Sequence, residues 1–109
     1  MSFLCLVDTI YTIVSSEKNF VVKIFKLLKI VIYNRTPIEQ VGCCWCKDGE
    51  HFICNSRILG KCMNLKPNSI NKNFKLYSFE SEHISSKEII KYFGNLPDIK
   101  NWKLMKIKS

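Results

Sequence analysis

The chain has 109 residues, 47% of them hydrophobic and 13 aromatic, which excludes a disordered segment and fits one domain, 1–109, with one core. Lys and Arg number 17 against 9 Asp and Glu, a net charge of +8 that favours an anionic partner, nucleic acid or an anionic membrane. No apolar run reaches the length of a membrane span, and "MSFLCLVDTIYTIVSS" lacks the basic start of a secretory signal, so no membrane span is expected and the six cysteines are read as reduced thiols in the cytoplasm.

Residues 3–14, "FLCLVDTIYTIV", are apolar and rich in β-branched side chains, and they fit either a strand or a helical turn. An amphipathic helix is expected from residue 17 to about 33, with Ser16 as its cap and Glu17 in its first turn. At helical spacing Val21, Ile24, Phe25, Leu27, Leu28, Val31 and Ile32 share one face, and Lys18, Lys23, Lys26 and Lys29 the other. Asn34 to Pro37 ends it.

"IEQVGCCWC" reads as a strand, "KDGE" as a turn and "HFICNSRIL" as the hairpin partner, closed by Gly60-Lys61. "CMNLKPNSINKN" reads as a loop turning at Pro67-Asn68-Ser69, and "FKLYSFES" as a third strand. Ser85 and Glu88 have capping-box spacing, so a second helix follows and stops at Pro97. The tail "DIKNWKLMKIKS" is a strand or an ordered extension anchored by Trp102. The expected class is α+β, in the order α-β-β-β-α. Two helices would pack on one face of a three-stranded antiparallel sheet, since each has one apolar stripe to bury.

Charge is unevenly distributed. From His51 to Phe79 there are five basic residues, Arg57, Lys61, Lys66, Lys72 and Lys75, and no acid. Cys43 and Cys46 have the spacing of one zinc knuckle, but Cys54 and Cys62 stand singly and no second pair completes a site. No cofactor is therefore expected. Cys43, Cys46, Cys54 and Cys62 are the ligands a zinc ion would have to use, and otherwise they are small buried apolar side chains. No nucleophile elbow, phosphate-binding glycine loop or carboxylate pair is present, so no catalytic residue and no enzyme is expected.

Pro37 before the first strand, Phe52 opening the second, Gly60-Lys61 closing it and Ser85-Ser86-Lys87 opening the last helix together resemble the double-stranded RNA-binding domain. The resemblance makes residues 17–96 a core, with 1–16 and 97–109 as terminal extensions. It lacks the family's Gly-Pro-x-His turn and the tight lysine pair of its last helix. A second likeness, in "WCKDGEHFICNSRILGK", is to small accessory proteins of murine-type betacoronaviruses. These resemblances imply non-catalytic binding of double-stranded RNA, read by shape, by a viral accessory protein that hides RNA from innate sensing or silencing. The implied contacts are Lys23, Lys26 and Lys29 on the first helix, Lys47 and His51 at the hairpin, Lys61 at its end, and Lys87 and Lys91 on the last helix. They also allow a host protein partner and a homodimer. The alternatives are a protein-interaction module that keeps the fold without RNA binding, or a small zinc-binding regulatory protein.

Overall fold

The computed structural model describes residues 3–34 and 38–107, with side chains for 6–31 and 38–107. Arg35, Pro37 and Lys108 lie outside the described residues, as does the side chain of Ile32. The chain opens with two helices, α1 (Phe3–Ser16) and α2 (Phe20–Asn34). Residues 3–14 are helical because Leu6, Ile10, Ile13 and Val14 recur at helical spacing and turn one stripe toward the core. The cap of α2 is Asn19, not Ser16. Its Oδ1 accepts from the Val22 N–H at 3.1 Å, while Ser16 still belongs to α1 and donates its hydroxyl to the Thr12 carbonyl.

A single helical turn, α3 (Ile38–Val41), leads through Gly42 into β1 (Cys43–Trp45). Gly42 has φ +88°, and a Cβ there would stand 2.5 Å from the Leu59 backbone nitrogen. β1 pairs with β2 (His51–Asn55), Cys43 facing Cys54 and Trp45 facing Phe52. β2 is shorter than its alternating sequence implies. At Asn55 the chain turns directly into α4 (Ser56–Met63), and Asn64 to Lys66 connect this to α5 (Pro67–Leu76). β3 (Phe79–His83), α6 (Ser86–Phe93), a 3-10 turn (Ile99–Asn101) and β4 (Trp102–Ile107) complete the chain.

The fold is α+β, with six α-helices and a four-stranded antiparallel sheet among the described residues. The strand order is β1-β2-β4-β3. A three-stranded sheet was expected, with the tail either a strand or an ordered extension; the tail is a fourth strand and enters the sheet between β2 and β3. Most of the stretch expected as a loop is α5, which also takes in Phe74 to Leu76, expected as the start of the third strand; that strand begins only at Phe79. Pro67 begins that helix, as proline can at a first helical position.

The two long-predicted helices do not share a face. Ile24, Leu27 and Leu28 of α2 join Leu59 and Met63 of α4 and Ile70 and Phe74 of α5 on the side bearing Phe52, Cys54, Phe79 and Met105. Ile89 of α6 packs on the other side, against Ile53 and Trp102. The reason is visible in β2, where Phe52 and Cys54 point one way, Ile53 points the other, and all are buried. A strand apolar on both faces needs cover on both.

Asn55 is fully buried and holds the junction of these layers. Its Oδ1 accepts from the N–H groups of Arg57 and Ile58, at 3.0 and 3.2 Å, and so caps α4. Its Nδ2 donates to the Asp98 carboxylate at 3.2 Å, just before β4. Its backbone N–H bonds the Gly42 carbonyl at 2.8 Å. Replacing Asn55 with Ala strips the cap and orphans buried donors, so a loss of about 2–3 kcal/mol is expected, read as a lower urea midpoint at unchanged m-value.

Gly60, expected to close a strand, lies inside α4. A Cβ on it would stand 2.6 Å from the Leu65 carbonyl oxygen, and the Leu65 N–H bonds the Gly60 carbonyl at 2.8 Å. The connection between α4 and α5 thus closes directly over this residue. Helix propensity alone would have Gly60→Ala stabilise by about 1 kcal/mol. The close backbone contact reverses the sign, and a loss of about 1–3 kcal/mol is expected on thermal or urea unfolding.

Candidate nucleic-acid interface

α4 and α5 form a helix–turn–helix, two helices joined by the three residues Asn64, Leu65 and Lys66. Asn64 takes the left-handed conformation, φ 56° and ψ 43°, that ends α4. The second helix is fixed from beneath. Phe74 lies 5.1 Å from Phe20, 6.1 Å from Phe52 and 5.1 Å from Phe79, ring centroid to centroid. With Ile70 and Phe74 committed to the core, helical spacing turns Asn68, Lys72 and Leu76 outward, flanked by Ser69 and Lys75. Leu76 is 73% exposed.

This unit coincides with the acid-free stretch of the sequence. Arg57 and Lys61 are exposed on α4, Lys66 on the turn, and Lys72 and Lys75 on α5. None of the five makes an ion pair among the described residues. Beside α4 an open groove of ≈ 1210 Å³ runs past Arg57, Lys61 and Lys66, but Glu39 and Asp98 line it as well. The Asp98 carboxyl is held below its usual range by the Asn101 and Asn55 amides and by the Arg57 charge. The groove is therefore of mixed sign, whereas the outer face of α5 carries Lys72, Lys75, Asn68 and the exposed Leu76 and no acid.

The residues singled out from sequence are scattered. Lys23, Lys26 and Lys29 lie on α2, where Lys26 Nζ is 3.0 Å from the Glu17 carboxylate. Lys47 is exposed in the β1–β2 turn. His51 Nδ1 is 2.7 Å from Asp48 Oδ2, and Asp48 also accepts from the N–H groups of Glu50 and His51. Those backbone bonds, with the His51 ring, pull the Asp48 carboxyl down to about 2. Lys61 is on α4. Lys87 and Lys91 are on α6, across the sheet from α2, with Lys91 5.2 Å from the centre of the Tyr92 ring. The structure brings Lys61 to the helix–turn–helix and gathers the others into no single surface.

Asn68 and Ser69 are missed by the sequence reading as site residues, and Lys66, Lys72 and Lys75 are expected there only as charges that extend the RNA-binding patch. Signals for them were present: Pro67 at a helix start, and Ile70, Phe74 and Tyr77 at spacings of four and three.

Among the residues whose side chains are described, the cysteines pack as apolar side chains. Cys43 and Cys54 face each other across β1 and β2, fully buried, with Cys62 of α4 beside Cys43. Cys44 points to the opposite side of the strand, as does Cys46. Among the described residues no group of three or more His, Cys, Asp or Glu is placed to hold a metal ion.

A helix–turn–helix with a basic outer helix is a recurrent way of meeting duplex DNA. The family model for the transcription-initiator DNA-binding domain IBD matches residues 8–109. The chain belongs to the IBD family. No curated protein and no solved structure matches it significantly.

Membership in the IBD family overturns the resemblance to the double-stranded RNA-binding domain and the likeness to viral accessory proteins, and with them duplex RNA as partner and innate antagonism as role. Geometry explains the error. The RNA-binding reading needs the first and last helices on one face of the sheet, and here the sheet separates them. Gly60-Lys61 lies inside α4 rather than closing a strand, and Ser85-Ser86-Lys87 is only the capped start of α6. No helix among the described residues is long and apolar enough to cross a membrane.

The buried thiols of this IBD domain give it a pH dependence. Burial pushes Cys54 up to about 12 and Cys62 up to about 11 from an ordinary 9, and raises Cys43 well above it. The unfolded chain releases these protons first, so stability is full below the unfolded thiol range and is lost as pH rises from 9 toward 12. Urea midpoints in reductant should hold level at neutral pH and fall above about pH 9. A Cys43→Val/Cys54→Val variant should fall less steeply. An equal fall in both would assign the effect to other groups.

Proposed function

We propose that the chain is a non-catalytic DNA-binding domain that lays α5 in the major groove of duplex DNA. The carrying observation is the helix–turn–helix whose second helix turns Asn68, Ser69, Lys72 and Lys75 outward with no acid anywhere in the unit. The family description, transcription-initiator DNA-binding, supports the same reading.

The chemistry fits the groove. The major groove is about 12 Å wide and admits one helix. A side-chain amide can donate to N7 and accept from N6 of adenine, which is the pairing Asn68 offers near the helix start. Lys72 and Lys75 reach guanine edges or phosphates, and exposed Leu76 suits a thymine methyl. Arg57, Lys61 and Lys66 lie where the first helix and turn cross the backbone, contacts that position the domain without reading sequence. On this reading the chain works in the compartment that holds the transcribed DNA, and its thiols stay reduced there.

Affinity for a labelled DNA duplex should fall with salt, log K against log salt being linear with a slope set by the phosphates neutralised. Lys72→Gln should weaken binding. Asn68→Ala should cost about 1–3 kcal/mol on the preferred sequence and little on a scrambled duplex. Binding that is unchanged in Lys72→Gln and Asn68→Ala alike would remove α5 from the interface.

A further inference from the structure

A cleft of ≈ 280 Å³ opens between α5 and the strands β3 and β4. Its walls carry Ser56, Asn71, Lys75, Ser81 and Lys103, over a floor that includes the Phe74 ring and the Cys54 thiol. No carboxylate lines it. This follows from strand alternation in "FESEH". Phe79, Ser81 and His83 face the helices, so Glu80 and Glu82 project on the far side of the sheet. On β4 the same rule sends Lys103 and Met105 to the cleft and Lys106 away from it.

The polar groups are mostly donors in search of an acceptor. Ser56 Oγ donates to Asn71 Oδ1 at 2.7 Å, which engages the amide oxygen and leaves the Asn71 Nδ2 hydrogens unused. Among the described residues, the Lys75 and Lys103 ammonium groups have no ion-pair partner and the Ser81 hydroxyl no hydrogen-bond partner. Two cations, one amide donor and one hydroxyl around a pocket without a carboxylate make a site for a phosphate ester.

We propose that this cleft holds a backbone phosphate of the bound DNA, on the DNA strand that runs along the flank of α5 beside β3 and β4. The inference rests on the DNA-binding reading above and adds a second contact surface to it. Position favours the DNA backbone over a free anion. A helix with its side chains is about 10–12 Å across, so one lying in the major groove has phosphates running along its flank. The cleft is on that flank, and Lys75 borders both the cleft and the outward face of α5. Contacts of this kind fix register without reading sequence.

The test uses the full chain, a fluorescently labelled DNA duplex and a salt series. Lys103→Gln should lower the salt slope by about 1 and weaken binding about eightfold near 0.1 M salt, equally for preferred and scrambled duplexes. Ser81→Ala should weaken binding in the same sequence-independent way. Lys106→Gln removes the same charge from the same strand on the opposite face and should keep the wild-type slope. Circular dichroism checks that each variant is folded.

If Lys103→Gln keeps the wild-type slope while Lys72→Gln changes it, the cleft proposal fails and the α5 reading stands. If the wild-type chain has no salt-dependent affinity for duplex DNA, both fail. A titration with inorganic phosphate separates the remaining source. Shifts of the Asn71 and Ser81 amide resonances at millimolar phosphate, with DNA affinity indifferent to Lys103→Gln, would mean a free-anion site and overturn the backbone assignment.

Discussion

The side chain of Asn55 joins three parts of the chain that no other single group joins. Its backbone ends β2, its Oδ1 starts α4, and its Nδ2 holds Asp98 at the approach to β4. All this happens at a fully buried position, where an unmet donor or acceptor costs about 1–3 kcal/mol. The amide is the only ordinary side chain that offers an acceptor and two donors without charge. The position of the helix–turn–helix on the sheet therefore depends on this one residue being satisfied from both sides.

From that junction the candidate interface follows by packing. α4 begins at the end of β2, and Gly60 lets the next connection close against it. Phe74 then seats α5 among Phe20, Phe52 and Phe79. A helix held by aromatic rings on one side has its opposite side fixed in direction, and that side carries Asn68 and Lys72. The tail closes the arrangement. β4 pairs on both edges, with β2 and with β3, so Lys103 comes to stand beside the helix although it lies 28 positions after Lys75.

Much of the fold was legible, and the failures have local causes. The β1–β2 hairpin was readable from Cys43 to Asn55 because alternation and the Asp48-Gly49 turn agree. Past Asn55 the alternation continues by chance through Ser56, Arg57 and Ile58, so a strand and a capped helix compete on the same letters. The buried amide decides for the helix. Pro67 was read as a turn, yet at the first position of a helix it loses nothing, and Ile70 and Phe74 supply the core face. The site fails with the fold: a reading that divides α5 between a loop and a strand gives Lys72 and Lys75 no common direction, and it groups lysines of α2 and α6 across a sheet that separates them.

The sequence by itself determined the α+β class, the large basic excess and the acid-free stretch from His51 to Phe79. These are properties of composition and short-range pattern. Only the tertiary structure decided which face each helix covers, that the tail is an inner strand, and which lysines stand together. Those depend on two-sided burial of β2 and on the insertion of β4 between β2 and β3. Both are contacts between distant residues, and no local periodicity encodes them.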